Sequence, residues 1–352
     1  MRTELFDYHL PPELIAQHPA AEREGSRLLV VNCGNGAIEH RNFAEFPTYL
    51  AAGDCMAFNA SRVRRSRLCG RKEGSGGKVE LLLLSAREDG TWEALARPAR
   101  RLHPGTFISF GDELEAEVVE KGARGEIRVR MGPGETPAVE AAIERLGEMP
   151  LPPYIREELY DPERYQTVFA NRLGSAAAPT AGLHFEASTL RRVEEKGVRI
   201  AFLHLDVGLD TFRPIAEEVV EDHGIHSEEM DLGEEACAAI NATRREGGRV
   251  VAVGTTVVRA LESSLSQDEL IPRRGATSLF IYPGFDFKVV DCMVTNFHMP
   301  RSSLLLLVCA FAGRKLVMEA YRQAVEERYR FLSFGDACYF YYEHGWTERG
   351  EG

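Results

Sequence analysis

The feature that most constrains this chain is a change of texture near residue 60. From there to about residue 132, short extended segments alternate with turn residues: Arg64–Leu68, Lys78–Leu84, Thr91–Arg97, Thr106–Ser109, Leu114–Val119 and Glu126–Arg130, separated by Gly74-Ser-Gly-Gly77, Asp89-Gly90, Pro104-Gly105, Gly111-Asp112 and Gly122. Strands at that spacing predict a small antiparallel barrel or sandwich. On either side the pattern is different. Leu28–Asn32 and Asp54–Asn59 read as strands, and Phe43–Leu50 as a short helix. After residue 151, helices and strands alternate: helix Ala187–Lys196, strand Val198–Leu205, helix Glu234–Glu246, strand Val250–Val253 and a helix to about Ser264. Strands near Ser278–Tyr282 and Val289–Met293 precede helices over Ser303–Ala312 and Lys315–Tyr329. Alternation of this kind predicts a parallel or mixed sheet with helices on its faces. The fold expected is α/β plus all-β: a three-layer-like α/β domain built from both chain ends, residues 1–59 and 151–352, with an antiparallel β-barrel, 60–150, inserted. A helix over Pro137–Leu146 and the stiff connector Pro150-Leu-Pro-Pro-Tyr-Ile155 lead back out of the insert.

Several classes are excluded early. No run of 18 apolar residues exists, the longest block being Leu304–Ala312, and the N-terminus has no apolar signal core. The expectation is a cytoplasmic protein with no membrane association. Seven scattered cysteines with no Cys-x-x-Cys pair argue against a disulfide framework or a zinc site. Gly34-x-Gly36 follows a strand, but an extended segment comes next, so the dinucleotide fingerprint fails. The net charge is −12, so nucleic-acid binding needs a local basic patch. Arg62, Arg64, Arg65, Arg67, Arg71 and Lys72 supply the candidate; a solvated charge run is the plain alternative.

Polar clusters gather in the α/β part. Gly174-Ser-Ala-Ala-Ala-Pro-Thr-Ala-Gly-Leu-His-Phe185 is small and irregular; seven of its first nine residues are Gly, Ala or Ser. Its small side chains, Gly182 among them, permit close approach of a ligand, and it offers Thr180 and His184. Asp206, Asp210 and Arg213 follow an apolar strand, where ligands collect in open sheets. His226 stands in His223-Gly-Ile-His-Ser-Glu228. Asn296 and His298 lie in Thr295-Asn-Phe-His298. Gly254-Thr255-Thr256 opens a helix that Thr255 would cap, and such an end suits a carboxylate or phosphate. Each has an ordinary alternative in a cap, a turn or a packed histidine. No third ligand is spaced with His223 and His226, so no metal is expected. Gly-x-Ser-x-Gly is absent, which argues against serine hydrolysis.

Taken together these motifs resemble the S-adenosylmethionine:tRNA ribosyltransferase-isomerase family of queuosine biosynthesis. The likeness runs from Phe6-Asp-Tyr-His-Leu-Pro-Pro-Glu-Leu-Ile-Ala-Gln-His-Pro19 to Tyr329-Arg-Phe-Leu-Ser-Phe-Gly-Asp336. It passes through Gly77-Lys-Val-Glu80, Tyr165-Gln-Thr-Val-Phe169, Val207-Gly-Leu-Asp-Thr-Phe-Arg-Pro214 and Phe280-Ile-Tyr-Pro-Gly284. The resemblance implies an α/β domain with an inserted barrel, no metal and no cofactor. S-adenosylmethionine would be consumed as a ribosyl donor. The acceptor would be 7-aminomethyl-7-deazaguanine (preQ1) at the wobble position of tRNA, giving epoxyqueuosine-tRNA with release of adenine and methionine. His184, His298, Asp206 and His226 are then the candidates for proton transfer. Thr180, Gly182, Asp210, Arg213, Gly254, Thr255, Thr256 and Asn296 are the candidates for holding the donor, and the arginine run for tRNA, with the chain acting as a monomer. Two departures stand out. Asn59-Ala-Ser-Arg-Val63 replaces the family's Asn-Asp-Thr-Arg-Val, and Asp206 stands where the family has histidine. The competing readings are an RNA methyltransferase and a non-catalytic RNA-binding module.

Overall fold

In a computed structural model, the structure describes residues 1–87, 89–123, 125–134, 136–208, 211 and 213–343. The chain divides into two compact units. One comprises Met1–Arg62, Pro152–Arg172 and the chain from Ala178 on; the other comprises Val63–Leu151 and Leu173–Ala177.

The first unit is built on a mixed sheet of nine strands among the described residues. In chain order they are β1 (Arg27–Asn32), β2 (Ile38–Asn42) and β3 (Cys55–Asn59), then, after the barrel strands β4–β9 given below, β10 (Arg199–Leu205), β11 (Glu228–Leu232), β12 (Val250–Val253), β13 (Arg273–Thr277), β14 (Cys292–Asn296) and β15 (Ala337–Tyr341). Their spatial order is β13-β11-β10-β3-β12-β14-β15-β1-β2. The middle run β10-β3-β12-β14 is parallel, Phe202 lying beside Phe58 and Val253 beside Val294. Every residue of β3, β12 and β14 is buried, as expected of parallel strands covered on both faces. Helices α2 (Ala187–Glu195), α3 (Glu234–Arg245), α4 (Thr255–Glu262), α5 (Ser303–Ala312) and α6 (Arg314–Glu326) complete this unit. No helix among the described residues is long and apolar enough to cross a membrane.

The second unit is a closed antiparallel barrel of β4 (Arg67–Lys72), β5 (Lys78–Ala86), β6 (Thr91–Arg97), β7 (Phe107–Phe110), β8 (Leu114–Lys121) and β9 (Glu126–Gly132), ordered β9-β6-β5-β4-β7-β8. Alternate residues Leu114, Ala116 and Val118 point inward with Leu81, Leu83, Ile127 and Val129. Helix α1 (Thr136–Leu146) packs Val139, Ala142 and Ile143 into the same core.

Two expected strands are displaced, and hydrogen bonding explains both. Ser278–Tyr282 forms no strand. The Leu279 carbonyl accepts from Arg259 Nε, and Phe280 packs on Tyr282 and His223. The edge strand instead lies at Arg273–Thr277. The strand expected at Val289–Met293 begins at Cys292, because the N–H groups of Lys288, Val289 and Val290 all donate to the Glu262 carboxylate. Strand β4 begins at Arg67 rather than Arg64.

Gly70 tests the barrel packing. A Cβ there would lie 2.6 Å from both the Phe110 ring and the Ser109 carbonyl. Gly70→Ala is expected to destabilise the protein by about 1–3 kcal/mol through overpacking, read as a lower urea midpoint; an unchanged midpoint would show that the β4–β7 corner yields.

Candidate active site

A cleft enclosing about 590 Å³, partly open to solvent, lies at the carboxyl ends of β12 and β14. Its walls come from segments far apart in sequence: Thr180, Gly254-Thr255-Thr256, Thr295-Asn296, His298, Thr211, and Tyr154 with Ser333. The location matches the usual small-molecule site of an open α/β sheet.

The first element of the cleft is the amino end of α4. Gly254 precedes it at φ 101°, a conformation that favours glycine. It is also the N-cap, and no side chain caps the helix there. The expected capping by Thr255 is therefore corrected: Thr255 is the first helical residue. Helix geometry leaves the N–H groups of Thr255 and Thr256 without intrahelical acceptors. The Thr256 hydroxyl is buried and has no hydrogen-bond partner. Bare donors at a positive dipole end await an anion.

The second element is Asn296, at the end of β14. Its Nδ2 donates to the Leu332 carbonyl at 3.2 Å and to His184 Nε2 at 3.2 Å, and its Oδ1 accepts from Thr180 Oγ1 at 3.0 Å. His184 is then the Nδ1–H tautomer, donating to Ser26 Oγ at 2.8 Å. Burial first, then the Arg330 and Arg23 guanidiniums, push its pKa down to about 3. Both ring nitrogens are engaged and the ring stands behind the cleft wall, not on it. His184 thus holds Asn296 in place and is not positioned to exchange a proton with a ligand. Gly182 also stands back. Its φ is not positive, and a Cβ would meet Thr167 Cγ2 at 2.8 Å and Phe169 at 2.9 Å. It is glycine for packing, not for ligand approach.

His298 does line the cleft. Its Nε2 lies 2.8 Å from Thr295 Oγ1, while its backbone is held by Tyr8 and Tyr321 hydroxyls. Burial pushes its pKa down to about 3. A threonine hydroxyl both gives and accepts, so it supports either tautomer of the ring.

Asp206 and His226 are not on the wall. Asp206 accepts from Ser61 Oγ at 3.2 Å, so the two departures from the family pattern meet in one hydrogen bond. His226 Nε2 is 3.2 Å from Thr211 Oγ1 and 3.6 Å from Glu228 Oε1. Behind it Glu228 pairs with Arg259 of α4, both almost fully buried. The Glu228 carboxylate also accepts from Thr211 Oγ1 at 2.8 Å and the Gly208 N–H at 3.2 Å. Burial raises its pKa, but His226, Arg259 and Thr211 outweigh this and leave it below the ordinary carboxylate range. Arg213 is exposed; Asp210 lies outside the described residues. Sequence reasoning did not single out Glu228, Arg259, Tyr154 or Ser333. Glu228 sat within the His223–Glu228 cluster, whereas nothing local in the sequence marks a helical arginine such as Arg259 as buried.

The members of the basic run have different partners. Arg62 pairs with Glu163 at 2.6 Å in the α/β unit. On the barrel, Arg64 stacks 5.1 Å from the Trp92 ring centroid and lies 3.8 Å from Glu140, and Arg67 lies 3.9 Å from Glu80. Arg71 and Lys72 donate to the Gly76 and Arg101 carbonyls, which leave their charge in place. Arg65 is half-buried, its backbone N–H donating to Glu144.

Comparison with known proteins agrees on one family. A family model described as queuosine biosynthesis protein matches residues 3–340. Proteins named S-adenosylmethionine:tRNA ribosyltransferase-isomerase are similar across 96% of this chain and 99% of their own. The one from Symbiobacterium thermophilum is 52% identical, that from Moorella thermoacetica 51% and that from Natranaerobius thermophilus 49%. The crystal structure of S-adenosylmethionine tRNA ribosyltransferase from Thermotoga maritima is 38% identical over 96% of this chain and 99% of that one, with a TM-score of 0.56.

The two buried histidines set a pH dependence. Above their ordinary value of 6.5, folded and unfolded chains alike hold both rings neutral. Between 6.5 and about 3 the unfolded chain binds protons that the fold refuses. Stability therefore falls by about 1.4 kcal/mol per pH unit for each ring over that window. His184→Gln is expected to flatten the loss of urea midpoint between about pH 7 and about pH 5. An unaltered slope would mean that His184 is not held neutral.

Proposed function

We infer the reaction from the family: the chain belongs to the queuosine biosynthesis proteins, whose relatives above are named S-adenosylmethionine:tRNA ribosyltransferase-isomerases. We propose that it transfers the ribosyl moiety of S-adenosylmethionine to preQ1 in the anticodon loop of tRNA and isomerises it, giving epoxyqueuosine and releasing adenine and methionine. The observation that carries the assignment of the donor site is the bare amino end of α4 with the unpartnered Thr256 hydroxyl. There the methionine carboxylate finds two N–H donors, a hydroxyl and a favourable dipole. Thr180 and Asn296, on the same wall, face the ribose hydroxyls.

The chemistry needs a proton taken from the carbon beside the sulfonium and a proton given to departing adenine. His298 is the residue we assign to these steps. Its neutral ring accepts through Nδ1 when Nε2–H is turned to Thr295. General acid–base help of this kind is typically worth ~10²–10⁴ in rate. Asp206, His226 and Glu228 support the wall from behind. Arg65, Arg71 and Lys72 of the barrel are the residues we assign to tRNA phosphates, since carboxylates hold Arg62, Arg64 and Arg67. We propose that the chain acts as a monomer. The free state of all seven cysteines suits a reducing cytoplasm.

With S-adenosylmethionine and tRNA bearing preQ1, the expected products are adenine and methionine, absent with unmodified tRNA. S-adenosylhomocysteine would mean a methyltransferase instead. Thr256→Val keeps the shape and removes the hydroxyl. It should raise the KM for S-adenosylmethionine about tenfold, the value of a hydrogen bond to a charged group, without lowering stability; an unchanged KM removes Thr256 from the donor site. Arg71→Glu should weaken tRNA binding and flatten its salt dependence, whereas Arg64→Glu should destabilise the barrel.

A further inference from the structure

Behind the wall of the cleft is a second cavity, of about 300 Å³ and partly open to solvent, which the reaction above does not use. Arg23, Arg164, Ser26, His184, Ser333 and Phe334 line it, and no carboxylate does. Ser333 lines both cavities. The hydrogen-bond chain Ser26–His184–Asn296–Thr180 runs from one to the other.

Its electrostatics are unusual. Arg23 donates to the carbonyls of Leu183, Glu163 and Gln166, at 3.1, 3.1 and 2.8 Å. Arg164 donates to those of Ala21 and Ala20, at 3.0 and 2.6 Å. Arg330 similarly donates to the His18 carbonyl. Carbonyls satisfy N–H groups but cancel no charge. Burial first, then the neighbouring Arg164 guanidinium, lower the Arg23 pKa, and Glu186, Asp161 and Glu163 act against this. The Nε of Arg164 is buried with no hydrogen-bond partner, a costly state for a charged group. The Ser26 hydroxyl, which accepts from His184, has only a long 3.4 Å contact to Arg23 O for its own proton. Two guanidiniums, an orphaned N–H and a loosely held hydroxyl around an acid-free cavity are the donor set of an oxyanion site.

We propose that this cavity is a phosphate site that takes a backbone phosphate of the RNA substrate. The inference rests on the tRNA reading above. Ser333 lines both cavities, and this adjacency to the cleft that receives the base is what favours RNA as the source over free phosphate.

The test compares wild type with Arg164→Gln and Arg164→Lys, measuring tRNA affinity against salt and thermal stability with and without inorganic phosphate. Arg164→Gln should raise the Kd for tRNA about tenfold, lower the slope of log K against log salt by about 0.7, and leave the KM for S-adenosylmethionine unchanged. Inorganic phosphate should raise the melting temperature of wild type and not of Arg164→Gln. Arg164→Lys, which keeps the charge, should retain most of the salt slope and serves where the glutamine variant fails to fold. Phosphate protection with an unchanged tRNA slope would overturn the RNA source. No phosphate protection and an unchanged slope would overturn the site altogether. Wild type that releases no adenine with modified tRNA would instead unseat the parent reading, whatever Arg164 does.

Discussion

A single carboxamide, that of Asn296, ties together segments more than thirty and more than one hundred residues away. It receives the Thr180 hydroxyl and gives its N–H groups to His184 and to the 330–335 turn. Those two segments, a single 3-10 turn over Thr180–His184 and the turn at 330–335, border the cleft, and no strand ladder holds either of them there. The amide has both a donor and an acceptor end, which a carboxylate at neutral pH lacks. Its donor end fixes the His184 tautomer, and that tautomer in turn satisfies Ser26. From Thr180 through Asn296 to His184 the amide and ring groups are all partnered, the condition under which a buried network specifies one arrangement.

The same logic secures α4 from the side away from the ligand. Its amino end is bare toward the cleft, and its last residue, Glu262, accepts three successive backbone N–H groups of the segment before β14. One turn in, Arg259 is locked to Glu228, which also holds Thr211 and the Gly208 backbone. A buried ion pair of this kind is poor evidence for stability. Its observable effect is positional: the helix that presents donors to the cleft and the loop that faces it are fixed to one carboxylate.

The barrel was legible in the sequence because period-two patterning and turn chemistry coincide there. The strand order of the large sheet was not, and neither were β11 and β15, whose partners lie far off in the chain. The strand expected at Ser278–Tyr282 shows why local pattern fails: an apolar alternation looks the same whether its carbonyls join a ladder or serve an arginine. His184 fails for a related reason. A sequence displays a titratable ring but not the two hydrogen bonds and the burial that keep it neutral. Neighbours in the arginine run have different surroundings once folded: Arg64 stacks on Trp92, Arg62 and Arg67 lie beside carboxylates, and Arg71 and Lys72 donate to carbonyls. Cleft residues next to glycine and proline, Thr180 and Thr255-Thr256, were legible because such backbone is rarely needed for anything but close approach or a turn.

The Thr256 hydroxyl, buried and without a partner, costs the fold part of its stability. A ligand that met it would return that stability, so a rise in melting temperature would read occupancy of the cleft directly.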